Sequence, residues 1–252
     1  RYEQVLAIKP DYADAHNNLA ATLHDLGQLE SAVKCYEQAL AIKPDYVDAH
    51  YNLGITYKAL GQLEEAVKHY EQALAIKPDY AEVHYNLGAT LQELGQLDAA
   101  VKRYEQALAI KPDYAEAHYN LGNTLKELGQ LDAAVKSYEQ ALAIKPDYVV
   151  AHSNLGATLQ ELGQREEAVK SYKKALTIKP DYAEAHNNLG VTFQELGQLG
   201  AAVKHYEQAL LIKPDYAEAH NNLGVIFQEL GQLDAAVKRY EQALAIKPDY
   251  AE

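Results

Sequence analysis

Apolar residues recur along this chain at helical spacing, and the spacing is interrupted twice in every 34 residues. Between Ala115 and Tyr148, one set runs His118, Leu121, Gly122, Leu125, Leu128 and stops at Gly129. A second set runs Leu131, Ala134, Val135, Tyr138, Ala141, Leu142 and stops before Pro146. Both follow the i, i+3, i+4, i+7 rule of an amphipathic helix. The pattern predicts helix A up to Leu128 and helix B over about Asp132 to Lys145, with Gly129 as the left-handed residue that ends helix A. Asp113 and Glu116 have the spacing of a capping box, which predicts Asp113 as the N-cap of helix A. Lys145 falls where the helix dipole favours a cation. Asp132 and Lys136 stand at i, i+4, as do Glu30/Lys34, Glu64/Lys68, Asp98/Lys102, Glu166/Lys170 and Asp234/Lys238, a pairing worth about 0.3 kcal/mol.

The same text recurs without insertion over 13–46, 47–80, 81–114, 115–148, 149–182, 183–216 and 217–250. Residues 1–12 are the tail of an earlier copy, and 251–252 open a later one. A period of this length points to one array over 1–252 in which each unit is covered by its neighbours. The expected fold is an all-α solenoid of seven helix-turn-helix repeats plus a partial N-terminal repeat. The chain starts inside a repeat and has no Met, so a fragment of a longer protein is expected, with uncapped ends able to associate head to tail.

His118, Leu121, Gly122, Leu125, Ala134, Tyr138, Ala141 and Pro146 resemble the tetratricopeptide repeat signature. The resemblance implies a right-handed superhelix whose inner wall is made of A helices. Two departures stand out. The first aromatic position is His in every copy, from His16 to His220, and Ala20 replaces the glycine found at Gly54, Gly88, Gly122, Gly156, Gly190 and Gly224. Alanine is expected to be tolerated there.

Opposite the packed face, helix A presents the repeat's second, fifth, sixth, ninth, twelfth and thirteenth residues. The sixth is Asn in all seven copies: Asn18, Asn52, Asn86, Asn120, Asn154, Asn188 and Asn222. Asn is a poor helix former, so a role outside the core is expected. Helices packed 8–10 Å apart would set one carboxamide against roughly every third residue of an extended peptide. An amide both donates and accepts, so the row could hold a main chain whatever its sequence. It also resembles the asparagine ladder in the peptide-binding superhelix of O-linked N-acetylglucosamine transferases. Tyr51, Tyr85 and Tyr119 form a short aromatic run beside it, as candidate anchors for ligand side chains. A brace between neighbouring A helices is the competing reading of the row.

Net charge is −13, and no basic stripe of the kind nucleic acids require is present. Acidic residues at the second and thirteenth positions favour a neutral or basic peptide. No apolar run approaches the ~18 residues that span a bilayer. Cys35 is the single cysteine, which fits a reducing, cytoplasmic setting. No catalytic group, cofactor loop or metal set is expected. The fourth-position histidines lie a repeat apart, too far to share one ion, and His24, His69 and His205 are isolated. The leading expectation is a non-enzymatic scaffold that binds protein or peptide. The alternatives are a self-associating structural array and the substrate-recognition arm of a larger glycosyltransferase.

Overall fold

The structure is a computed structural model, and it describes residues 11–248. The partial repeat expected over 1–12 lies largely, and the one opening at 251–252 wholly, outside the described residues. The chain forms two compact units, Arg1–Leu128 and Gly129–Glu252. In the first, the described helices are α1 (Ala13–Asp25), α2 (Leu29–Ile42), α3 (Val47–Ala59), α4 (Leu63–Ile76), α5 (Ala81–Glu93), α6 (Leu97–Ile110) and α7 (Ala115–Glu127). In the second they are α8 (Leu131–Ile144), α9 (Val149–Glu161), α10 (Arg165–Ile178), α11 (Ala183–Glu195), α12 (Leu199–Ile212), α13 (Ala217–Glu229) and α14 (Leu233–Ile246). Odd-numbered helices are the A helices and even-numbered ones the B helices. Among the described residues there is no strand.

Within each unit every helix packs on the one before and the one after it. The A helices also approach the next A helix closely, as α1 does α3, α3 does α5 and α9 does α11, whereas the backbones of successive B helices stay farther apart among the described residues. Drawing one set together while the other splays makes the A face the inner side of each unit.

The core is built from small residues and one large ring per repeat. Tyr36, Tyr70, Tyr104, Tyr138, Tyr172 and Tyr206 are the largest fully buried side chains. Burying a ring of that size is worth about 1.5–3 kcal/mol. The rings of Tyr70, Tyr104, Tyr172 and Tyr206 lie against helix A of their own repeats, where glycine leaves room. A Cβ on Gly54 would come within 2.6 Å of the Tyr70 ring, and one on Gly156 within 2.8 Å of Tyr172. The tolerance for alanine expected at this position therefore holds at Ala20, which is fully buried, and does not extend to those two, where the space is already filled.

Helix A ends as expected. Gly27, Gly61, Gly95, Gly129, Gly163, Gly197 and Gly231 all adopt φ between 71° and 76°. Around Gly27 the two bonds of a Schellman motif form, Gly27 N–H to His24 O at 2.8 Å and Gln28 N–H to Leu23 O at 2.9 Å.

Helix A begins differently from the expectation. Tyr114, not Asp113, is the N-cap of α7, and no side chain caps it. The reason lies in the Lys-Pro-Asp-Tyr turn. Tyr114 N–H donates to Lys111 O at 3.2 Å, with Pro112 at the second position, where its fixed φ suits a turn. Asp113 is thereby consumed in the turn, one residue too early to cap. The Lys111 ammonium then lies 4.6 Å above the Tyr114 ring. The same cation–π contact recurs at Lys43/Tyr46, Lys77/Tyr80, Lys145/Tyr148, Lys179/Tyr182 and Lys213/Tyr216. Helix-surface pairing also departs from the i, i+4 reading in two places: Lys68 bonds Glu65 at 2.6 Å, and Lys170 lies 3.7 Å from Glu167.

The fourth-position histidine locks this turn to the following helix. Nε2 of His50, His84, His118, His152, His186 and His220 lies 2.9–3.1 Å from the carbonyl of Pro44, Pro78, Pro112, Pro146, Pro180 and Pro214. A carbonyl only accepts, so Nε2 carries the proton. In the second repeat that leaves Nδ1 of His50 as an acceptor, 3.1 Å from Nδ1 of His69, which must donate. His186 and His205 repeat the arrangement at 3.0 Å. Burial, and then the partner imidazole, holds His69 and His205 down at about 4.

Replacing Gly156 by Ala is expected to destabilise the chain by about 1–3 kcal/mol through overpacking against Tyr172, read as a lower urea midpoint. An unchanged midpoint would show that the ring can shift at no cost.

Candidate functional site

On the A face of each unit, hydrogen bonds tie equivalent places in successive repeats. The sixth-position threonine-capped asparagines form the first row. Thr56, Thr90, Thr124, Thr158 and Thr192 each donate a hydroxyl to the backbone carbonyl of the asparagine four residues earlier, at 2.8–2.9 Å. This fixes the turn of helix from which the carboxamide projects.

The asparagines then divide into two kinds. Asn86 Nδ2 donates to Tyr51 Oη at 2.9 Å and to Glu82 O at 3.0 Å, so both its protons are used. Asn120 Nδ2 donates to Tyr85 Oη at 3.0 Å, and Asn222 Nδ2 to Asn187 Oδ1 at 3.3 Å. These three brace one A helix against the previous one. Asn52 and Asn188 are half-buried and make no side-chain hydrogen bond among the described residues; each lines a cleft instead, of about 240 Å³ and about 310 Å³ respectively. What the fifth residue of the preceding repeat reaches accounts for the difference. Tyr51 and Tyr85 reach the next asparagine. Ser153 is too short to reach Asn188, and Asn17 turns its amide to Asn18 at 3.4 Å. Asn18 is exposed, and Asn154 is half-buried.

The fifth position is therefore a seam between repeats, not open groove. Tyr51 packs on Tyr70 and Tyr80 with ring centroids 6.2 and 5.4 Å away, and Tyr85 on Tyr104 and Tyr114 at 6.0 and 4.8 Å. Tyr119 is half-buried. Asn17, Ser153 and Asn187, at the same position, are buried.

A second row escaped the sequence reading. Four B-helix tyrosines send their hydroxyls to glutamines on the A face. Tyr104 donates to Gln92 Oε1 at 3.2 Å, Tyr172 to Gln160 at 3.4 Å, Tyr206 to Gln194 at 3.1 Å and Tyr240 to Gln228 at 2.9 Å. The same glutamines donate onward to the next repeat: Gln92 to Glu127 at 2.8 Å, Gln160 to Glu195 at 2.9 Å and Gln194 to Glu229 at 3.3 Å. Lys58 does likewise toward Glu93 at 2.8 Å. The available signal was the run of Gln at the twelfth position facing Glu at the thirteenth, 35 residues on.

The two rows frame the clefts. One of about 500 Å³ is lined by Tyr85, Gln92, Glu93, Tyr104, Asn120 and Glu127, among others. Its floor is a tyrosine, its sides are amides, and its rim is acidic. Arg165 offsets one rim carboxylate, with Nε 2.8 Å from Glu195. In the cleft beside Asn52, burial pushes the Tyr36 hydroxyl up to about 12, so that floor is a neutral hydrogen-bonding group. This arrangement can pair amides and hold cations. Among the described residues no group of His, Cys, Asp and Glu is placed to hold a metal ion.

The second repeat has one flaw. Its twelfth residue is Lys58, turned to Glu93, and Tyr70 Oη is left buried without a partner. Replacing Lys58 by Gln should supply that partner and keep the bond to Glu93, raising stability by about 1 kcal/mol, measured as a higher urea midpoint. A drop of similar size would mean that the Lys58–Glu93 ion pair outweighs the orphaned hydroxyl.

Comparison with known proteins agrees with this geometry. A family model described as TPR repeat matches residues 22–61, 56–95, 91–129, 122–163 and 160–197. Two models described as Tetratricopeptide repeat match 2–34 and 181–249. The comparison with curated proteins gives no match. Among solved structures, the chain is similar to YrrB, titled a TPR protein with an unusual peptide-binding site, with 27% identity, TM-score 0.65, and 73% of this chain and 95% of that one covered. It is similar to MamA at 25% identity and TM-score 0.62, covering 66% of this chain and 96% of the other. PilF of Pseudomonas aeruginosa, at 20% identity and TM-score 0.68 over 87% of this chain and 96% of its own, shares the fold. With matched segments running from residue 2 to residue 249, the chain belongs to the tetratricopeptide repeat family.

Proposed function

We propose that the A face binds an extended polypeptide by its main chain and that the protein is an interaction scaffold, not an enzyme. The observation that carries this is the pair of unengaged carboxamides, Asn52 and Asn188, each at a cleft floored by a neutral tyrosine. A carboxamide in such a place can donate to a peptide carbonyl and accept from a peptide N–H. The braced asparagines Asn86, Asn120 and Asn222 hold the wall in shape, and Asn18 and Asn154 extend the row. Tyr51, Tyr85 and Tyr119 flank the guest's side chains from the seam. Carboxylates at the rim, Glu93, Glu127, Glu195 and Glu229 among them, favour a neutral or basic guest by charge complementarity. The likeness to YrrB, whose title names a peptide-binding site, supports the same reading. The single Cys35 suits a reducing compartment such as the cytoplasm.

Peptide-array binding distinguishes the two kinds of asparagine. Asn52→Ala with Asn188→Ala should weaken binding about three- to tenfold across unrelated basic peptides with the urea midpoint unchanged. Asn86→Ala with Asn120→Ala should lower the midpoint instead. Undiminished binding by the first pair would refute main-chain capture.

A further inference from the structure

Two junctions between repeats carry nearly the same trio on the A face. Between the sixth and seventh repeats it is Asn187, Glu218 and Asn222; between the first and second it is Asn17, Asp48 and Asn52, one methylene shorter at the middle member. In the later trio the bonds form a chain. Asn187 Nδ2 donates to Glu218 Oε1 at 3.1 Å, and its Oδ1 accepts from Asn222 Nδ2 at 3.3 Å. Asn187 is fully buried, and both ends of its carboxamide are used.

In the earlier trio neither bond forms. Asn17 is 7% exposed. Its Nδ2 turns along its own helix to Asn18 Oδ1 at 3.4 Å, and its Oδ1 is buried without a partner. Asp48 makes no hydrogen bond to it among the described residues, and Asn52 is left lining its cleft. The second and sixth residues stand about one turn apart on helix A, and at the later junction both meet the fifth residue of the preceding repeat. The two-carbon stem of Glu218 spans the distance to that residue; the one-carbon stem of Asp48 stops short of it.

We propose that Asp48 is a positioning residue for guest binding: by stopping short of Asn17 it leaves the Asn52 carboxamide free, where a glutamate would close the brace seen at Asn222. The proposal rests on the peptide-binding reading of the A face. A glutamate at 48 takes the Asn17 amide, holds its carbonyl oxygen toward Asn52, and so draws Asn52 Nδ2 out of the cleft. Where the fifth residue is tyrosine the brace forms without a carboxylate, as between Tyr51 and Asn86. An acceptor buried without a partner is unfavourable, so the shorter side chain costs the resting fold something and keeps a donor and acceptor open for a guest.

The test uses the full chain, first without a guest. Asp48→Glu should slow hydrogen exchange of the Asn52 side-chain amide and move its resonance toward that of Asn222, and Glu218→Asp should do the reverse at Asn222. Affinity is then read by fluorescence anisotropy with a lysine-flanked glycine–serine peptide. Asp48→Glu should weaken binding about two- to threefold, as much as Asn52→Ala does, and adding Asn17→Ser should restore it. Serine is accommodated at this place, as Ser153 is, buried in the fifth repeat. That rescue separates a brace through Asn17 from a change of shape at residue 48 alone. An Asn52 amide that Asp48→Glu leaves unchanged, or a loss that Asn17→Ser fails to restore, overturns the proposal and leaves main-chain capture standing. Closure of the brace with affinity undiminished, or an unaltered chain that binds no peptide, overturns main-chain capture and the proposal with it.

Discussion

The repeat depends on one contact, the face of a B-helix tyrosine laid on the glycine of its own A helix. Without a Cβ at Gly54, Gly156, Gly190 or Gly224, the ring sits closer than any side chain there would allow. That contact sets the separation of the two helices, and interiors this close-packed do not absorb an added methyl freely. It also aims the hydroxyl. A ring held flat against helix A has its oxygen at the far edge, and that edge opens on the A face beside the twelfth residue. The polar floor of the clefts is thus a by-product of core packing, and core and binding surface share one side chain.

Between repeats, a turn does comparable work with different chemistry. Lys111, Pro112, Asp113 and Tyr114 close on a backbone bond, the lysine covers the tyrosine ring, and His118 reaches back to Pro112 O. An indole at the histidine's position could fill the same volume and donate one bond. An imidazole has a second nitrogen, and the residue opposite on helix B decides its use. Histidines there, His69 and His205, bond it, whereas arginines leave it with a neighbour at 3.5 Å, as Arg239 does, or buried without a partner, as beside Arg103. Variation at that one B-helix place changes the chemistry of the outer surface without disturbing the turn.

Much of the fold was legible because it is periodic. Helix B was read from Asp132 to Lys145 and runs Leu131–Ile144, and Gly129 takes the left-handed conformation its place demanded. Asp113 misled because capping and turn formation favour the same residue type, and the proline before it decides for the turn. The A face was less legible. A helical wheel assigns directions within one helix, but whether the fifth residue faces a groove or a neighbour depends on the next repeat. Tyr51 reads in the sequence as an anchor for a guest, and the structure shows it also acting as a strut to Asn86 of the next repeat. Asn52 and Asn86 occupy the same repeat position and differ through the residue one repeat earlier: Tyr51 reaches Asn86, whereas Asn17 turns to Asn18. The line from Tyr104 through Gln92 to Glu127 joins three positions that no single-helix pattern connects.

Both rows on the A face share a direction. A residue of one repeat always meets a partner 35 places later, Tyr51 with Asn86, Gln92 with Glu127, Gln160 with Glu195. Each repeat therefore carries a socket on one side and a plug on the other. A whole copy inserted between two others keeps this offset, whereas an insertion of one residue inside an A helix would turn part of that helix out of register with both of its neighbours. Such a chain can lengthen by duplication in full periods, and by almost no other edit.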